Sequence, residues 1–515
     1  MNDPISRNKL RQRGILFACL AVPCVLAGVV CSCVSAVGQA LPAGPSSSSN
    51  QPSYRSSGSP NNNVPTGPSQ SNNPGAALNQ SPFSGSVPEG KAFGGTLPLS
   101  FKDAIERGLR NNLGILLQSD STLIARGDRW NELSALLPHV NASVSETAEQ
   151  IDLAALGFRF NFPGIPNVIG PVGVFQAGAY LTQSLFDYHA IERKRGASFN
   201  EKSVHYSLKN ARELVVLAVG NAYLIALSGA ARVATAQADV QTAQALYVKA
   251  SDQQKAGVNP AIDTLRAHVE LQSRQQQLIV SGNDYAKQKL MLARVIGLPP
   301  GQEFTLTTEA PYAPLATEPL EEDLQRAYAA RPDYLAAAQQ VRSAEEFRRA
   351  ATAERYPTLD MAGNYGVAGI RPGDSHGVFE VAATLNIPIF AGGKTHADVL
   401  EAEASLRQSQ QQLENLRGQI DYEVRTARLD LTAAADQVEV ARSSVELATQ
   451  TLEQARDRFA AGVTDNLEVV QAQEALASAN EDYISSLYSH NVAKISLAKA
   501  IGFAEEGVRQ YLQGK

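Results

Sequence analysis

The sequence predicts a mixed α and β membrane protein. A two-fold internal repeat of long coiled-coil helices would form an α-barrel, and four strands per chain would contribute to a trimeric 12-stranded β-barrel. Three observations predict this. Short segments recur about 205 positions apart, one run of small and aliphatic residues keeps a heptad spacing, and four shorter runs alternate polar with apolar residues.

The repeats come first, because self-similarity decides the architecture. AGVNPAID (256–263) matches AGVTDNLE (461–468), and LARVIG (292–297) matches LAKAIG (497–502). VFQAGAYLTQSLF (174–186) matches VFEVAATLNIPIF (378–390), and LLPHVNASVS (136–145) matches RYPTLDMAGNY (355–365). The last pair has a larger offset, so the first copy carries a longer loop. This gives a first repeat at 97–297, a Pro-containing linker at 298–319, a second repeat at 320–502 and a tail at 503–515. Each copy reads helix, strand, strand, very long helix, shorter helix.

The long helices follow from spacing. Val424, Ala427, Leu431, Ala434, Val438, Ala441, Val445, Ala448, Leu452, Ala455, Phe459 and Gly462 step by three and four without interruption. Alanine at alternate seam positions lets helix axes approach closely. Each long helix should run for about 70 residues, or about 100 Å at 1.5 Å per residue.

The strands follow from period two. In 378–390, Phe379, Val381, Ala383, Leu385, Ile387 and Ile389 share a face, opposite Glu380, Thr384 and Asn386. In 174–186, Phe175, Ala177, Ala179, Leu181 and Leu185 oppose Gln176, Tyr180, Thr182 and Ser184. Strands at 140–147 and about 359–367 alternate likewise, with Asn364 on the polar side. This is the pattern of a transmembrane barrel with a polar lumen, which Gln176, Tyr180, Thr182, Asn364, Glu380, Thr384 and Asn386 would line. Four strands cannot close such a barrel, whereas three copies supply twelve. The segment 149–173, with alternating Phe158, Phe160 and Phe162, would be an extracellular loop that extends a strand or covers the mouth, or folds on the surface.

The N-terminus adds a compartment. Arg7, Lys9, Arg11 and Arg13 precede an apolar run at 14–30, and small residues follow at 34–36 and 38–40. This reads as a secretory signal peptide within 1–40, cleaved after Ala36 or Ala40. A retained anchor, or lipid on Cys31 or Cys33, are the other readings. All four cysteines lie at 19, 24, 31 and 33, so the mature chain would lack disulfides, thiolate metal sites and a cysteine nucleophile. Residues 41–96 are rich in Ser, Pro, Asn and Gly with few apolar residues, which reads as a disordered leader, with ordered structure starting near Leu97. No later apolar run reads as a membrane-spanning helix. Net charge is −6 with no basic block, so nucleic acid is excluded as a partner. No spacing of His, Cys, Asp, Glu or Ser marks a metal, a cofactor or a catalytic group, so no enzyme is expected.

LSFKDAIERGLRNN (99–112) opens the first copy, and four features occur in register in both copies: the Leu-Pro and Tyr-Pro strand entries at 137–138 and 356–357, SLFD (184–187) with PIFAGG (388–393), the AGV turns, and the LAxxIG ends. In these the chain resembles the outer-membrane efflux protein family, the TolC-type channels, over about 97–502. The resemblance implies a trimer with a barrel in the outer membrane and a helical tunnel through the periplasm. It implies a periplasmic adaptor (membrane fusion) protein and an inner-membrane pump of RND or ABC type as partners, in efflux or type I secretion. It also makes the AGV turns the periplasmic tip, where the duct narrows and the adaptor docks. Gly257, Val258 and Asp263 form one turn; Arg458, Phe459, Gly462, Val463, Thr464, Asp465 and Glu468 form the other.

Gly257 and Gly462 suit left-handed residues after helix ends. Asp263 and Glu468 suit the first turn of the returning helix, where they complement its dipole, and threefold symmetry would make each a ring of three carboxylates favouring cations. The family's best-known form latches this tip with a tyrosine three residues before the second glycine and an arginine two after it. Here Phe459 and Thr464 stand there, which predicts a looser latch packed through Phe459, with Arg458 or Asp465 as substitutes. A non-pore periplasmic coiled-coil adaptor or scaffold is the alternative, and it leaves the four strands unexplained.

Overall fold

The computed structural model describes residues 82–507 apart from 93, 153–154, 156–167, 258–259, 309–311, 316–318, 462 and 465. The signal segment and most of the leader lie outside these residues. So do Val258, Gly462, Asp465, Phe158, Phe160, Phe162 and the last eight positions of the tail. All described elements fall within the unit Asn72–Lys515.

The duplication is visible as matched lengths. The first repeat has β1 (Leu97–Leu99), α1 (Phe101–Asn111, 11 residues), α2 (Leu113–Ser134, 22), β2 (His139–Asp152), β3 (Val168–Phe186), α3 (Tyr188–Lys255, 68) and α4 (Ala261–Ile296, 36). After β4 (Phe304–Leu306), the second repeat has α5 (Leu320–Ala330, 11), α6 (Pro332–Ala353, 22), β5 (Thr358–Gly369), β6 (Ser375–Asn386), α7 (Lys394–Ala460, 67) and α8 (Asn466–Ala500, 35). At 1.5 Å per residue, α3 and α7 are each about 100 Å long.

The opening helix of each repeat is broken in two, which the sequence pattern did not predict. In the first repeat the break is Asn112, extended at φ −67° and ψ 129°. Its amide accepts from Gly114 N and donates 2.7 Å to the Phe83 carbonyl. In the second repeat Pro332 opens α6, and a residue before proline is pushed out of the helical region, so Arg331 sits extended. Ser100 starts α1 with a capping box to Asp103.

Ordered structure also begins before Leu97. Gly85 and Val87 exchange backbone bonds with Leu113 and Asn111, and Glu89 N donates to Gly297 O. The Phe83 ring occupies the place a side chain at Gly114 would need, within 2.5 Å of it. The leader therefore seals the exposed peptide groups at the α1–α2 break and the α4 end.

Nine of the twelve seam positions named on α7 are buried; Val445 and Ala448 are half-buried, and Gly462 is outside the described residues. The α7 helix packs on α8 and α6, its seam meeting α8 along Val424–Leu431 and again at Leu452–Phe459, while α3 packs on α4, α6, α2 and α8. By length and composition α3 could cross a membrane, unlike the sequence expectation. Half of its apolar window is buried inside the fold, and Val215, Val219 and Tyr223 lie in one core with Phe101, Ile105, Leu292 and Ile495. That window reads as a core helix, because a core helix meets the same compositional test as a membrane span.

The four long strands form one antiparallel sheet in the order β2-β3-β5-β6, leaving β2 and β6 as edges. β6 ends at Asn386 rather than at 390, because Pro388 has no N–H for the ladder. Pairing runs out along the predicted 149–173 loop, since Ile151 pairs with Ile169 and Asp152 with Val168 beyond a register shift at Glu149.

A buried arginine ties the second repeat together. Arg331 is 1% exposed. It donates to both Asp333 oxygens at 3.1 and 2.6 Å, to Glu423 of α7 at 2.8 Å and to the Ala500 carbonyl at 3.1 Å. Burial alone would raise the Glu423 carboxyl, but hydrogen bonds from Lys499, Arg331 and Gln419 outweigh it and hold it at about 2. Its stabilising contribution is therefore complete above its ordinary 4.5 and is lost as pH falls towards about 2. Arg331→Ala should cost about 3 kcal/mol in urea unfolding followed by circular dichroism, because it removes the buried member of the network, empties its place in the core and leaves half-buried Asp333 without its pair. A loss below about 0.5 kcal/mol would show the network to be dispensable. Glu423→Gln should flatten part of the acid limb of the stability–pH curve, and an unchanged limb would exclude Glu423 as its source.

Candidate functional site: the hairpin tips and the polar face of the sheet

The register of the sheet sorts its side chains. Asn141 pairs with Tyr180, Tyr180 with Asn364 and Asn364 with Glu380, so one polar row crosses all four strands. Asn364 Nδ2 donates to Glu380 Oε2 at 3.2 Å. His139 and Thr182 lie on the same face, as do Ser145 with Gln176, Asp360 with Thr384, and Thr358 with Asn386. All seven residues expected to line a lumen thus share one face. The opposite face carries Val140, Val144, Tyr365, Phe379, Val381 and Leu385, with Phe379 78% and Tyr365 76% exposed in the single chain. An apolar face this open has no place in water.

At the far ends of the long helices are the two AGV hairpins. Gly257 follows the α3 cap at φ +73° and donates to Gln254 O, as a left-handed C′ residue does. At the second turn, the Val463 N–H reaches back to Arg458 O at 3.0 Å, the long bond of a Schellman cap. Asp263 is buried in the first turn of α4, 3.6 Å from Arg266.

Glu468 is held rather than free. Arg458 donates to its Oε1 at 2.9 Å, and the Thr464 hydroxyl donates to its Oε2. Arg458 therefore serves the acid of its own hairpin. Phe459 is buried among Leu246, Leu452, Ala455, Val469 and Ala472, with the Lys249 ammonium 5.6 Å from its ring. Its packing lies within one chain, joining α3, α7 and α8. Val463 is exposed.

Sequence reasoning missed Asn466. This residue is fully buried at the start of α8, and its amide donates to the Asp263 backbone carbonyl at 3.3 Å, joining the two hairpins. Its position immediately after Thr464-Asp465 marks a helix start, but nothing local points to the other hairpin. Lys249, also missed, lies on a turn of α3 with no repeat signal.

A two-faced antiparallel sheet with an exposed apolar side, carried on helices of this length, defines a channel-type outer-membrane protein. The family model described as outer membrane efflux protein matches residues 324–503. Alkaline protease secretion protein AprF of Pseudomonas aeruginosa is 24% identical over 438 residues, 80% of this chain and 88% of AprF. Outer membrane protein OprJ of the same organism is 26% identical over 317 residues, 57% of this chain and 62% of OprJ. The solved structure of outer membrane protein VceC from Vibrio cholerae shares the fold at TM-score 0.66 and 17% identity, covering 78% of this chain and 96% of VceC. A membrane protein from Pseudomonas aeruginosa does so at 0.68 and 19%, covering 78% and 93%.

The chain is thus similar to the outer membrane efflux protein family, by the family model over residues 324–503 and by relatives such as AprF over most of its length. It is an outer-membrane channel of the efflux and secretion type, and that family consists of transport conduits rather than enzymes.

Phe459→Ala should loosen the second hairpin by about 3 kcal/mol, from lost burial and the cavity left behind. Limited proteolysis should then cut near 461–465 faster than in the native protein. Unchanged cleavage would mean that Phe459 does not hold the tip.

Proposed function

We propose that three copies of the chain close a 12-stranded barrel, β6 of one copy pairing with β2 of the next, and that this barrel opens into a tube of long helices crossing the periplasm. The observation that carries the reading is the sheet register: all seven polar residues fall on one face, the apolar residues on the other, and both edges are open. A membrane supplies no partner for edge peptide groups, so closure is required. The apolar face then meets outer-membrane lipid and the row Asn141, Tyr180, Asn364 and Glu380 faces water in the pore. A cleaved signal within 1–40 directs export, and the leader at 41–96 follows it, its last part docked on the fold through Phe83, Gly85, Val87 and Glu89.

The duct makes no bond and breaks none. Energy comes from an inner-membrane pump of RND or ABC type, and a periplasmic adaptor docks on the six hairpins of the trimer around Gly257, Val258, Gly462, Val463 and Asp465. The repeats at 97–297 and 320–502 would then supply equivalent walls, joined by the linker 298–319.

A ring of Glu468 favours cations at the tip, and Arg458 opposes it, since it stands 2.9 Å from that carboxylate; Asp263, buried beside Arg266 in its own chain, does not join the ring. Removing Arg458 should therefore strengthen cation preference, and removing Glu468 should weaken it. Reversal potentials of the purified channel in asymmetric salt measure both. Arg458→Ala should shift the potential towards the cation limit and Glu468→Gln away from it; identical potentials in all three proteins would dispose of the ring.

A further inference from the structure

The segment between the repeats is pinned by a pair of buried bases outside the duct machinery. Tyr312 lies against His490 of α8, ring centroids 5.1 Å apart. His490 is fully buried, and neither ring nitrogen has a hydrogen-bond partner among the described residues. One helical turn on, the buried Lys494 donates from Nζ to the Ala313 carbonyl. Leu315 packs on the cluster of Leu324, Ile420 and Leu497. The groups around His490 are thus Tyr312 from the segment and Lys494 from α8. From α7, Asp436 and Glu439 face the Tyr312 hydroxyl, which hydrogen-bonds to Glu439; burial and these two carboxylates raise the phenol above its ordinary value.

A neutral imidazole survives burial here; an imidazolium does not. It would place a second positive charge beside Lys494, away from water, while the two nearby carboxylates are turned to Tyr312. We propose that His490 and Lys494 form an acid-sensitive clasp on residues 312–315, closed while His490 is neutral and released when it takes up a proton.

Burial, and then the Lys494 cation, push His490 down from 6.5 to about 4. Burial lowers Lys494 to about 8, so it stays charged throughout the acid range. The sign follows directly. The released segment lets His490 protonate from its ordinary 6.5, whereas the closed clasp holds it neutral to about 4. Acid therefore favours release between those two values and adds nothing below the lower one. From about pH 7 to about pH 5, opening should increase by up to about 20-fold.

Amide hydrogen exchange of the full-length protein in detergent micelles, corrected for intrinsic rates, reads this out at 312–315. Native protein should lose protection there by roughly one order of magnitude between about pH 7 and about pH 5. His490→Phe, which keeps an aromatic ring against Tyr312 and cannot titrate, should keep the same protection at both values. A native profile that does not change with pH would overturn the clasp without any variant. Acid release that persists in His490→Phe would show that His490 is not its source and would overturn the clasp equally.

Discussion

Two unpaired strand edges govern this molecule. β2 and β6 each present one side without a partner, and the sheet between them exposes an apolar face. In hydrocarbon each unsatisfied peptide group costs several kcal/mol, and an edge of 12 to 14 residues carries many. No rearrangement within four strands removes the cost. Only other strands can, and identical chains supply identical edges. On the proposed closure the same constraint accounts for the polar residues sharing a face: with the edges joined, the sheet has an inside and an outside.

The helices continue the same geometry. Matching lengths of 11, 22 and 11, 22 residues, then 68 with 36 against 67 with 35, make the two repeats nearly equal in length, as the proposed tube requires of its walls. Alanine at alternate seam positions of α7 allows the close approach such a wall needs. The repeats differ where they are secured. The first break is closed by an asparagine and the leader, and the second by Arg331 and its carboxylates. A buried ion network is seldom a large source of net stability, and here its geometry suggests that it specifies how α6, α7 and α8 meet.

Much of this was legible because periodicity reports directly on faces. The α7 seam and the polar residues of β3, β5 and β6 could be read residue by residue, since spacing of 3.5 or 2 fixes which side chains share a side. What escaped was nonlocal or stereochemical. The break at Asn112 depends on a carbonyl supplied by Phe83, and a Ser/Pro/Asn-rich leader gives no periodic sign that it docks. β6 stops at Asn386 because of one missing N–H at Pro388, although the alternation continues to Ile389. At the tip, the spacing marked Glu468 and Phe459 but not their partners. Arg458 was read as a substitute latch, Lys249 was not read at all, and Asn466 reaches the other hairpin through a backbone carbonyl that no side-chain pattern encodes.

The tip is tied within the chain by the Arg458–Glu468 pair, by Asn466 on the Asp263 carbonyl and by the packing of Phe459. In the proposed trimer, association rests on the strand edges. The most direct test is the mass of the native complex extracted from outer membranes into detergent. Edge closure predicts three chains and no stable smaller species. A folded single chain or a dimer would contradict it.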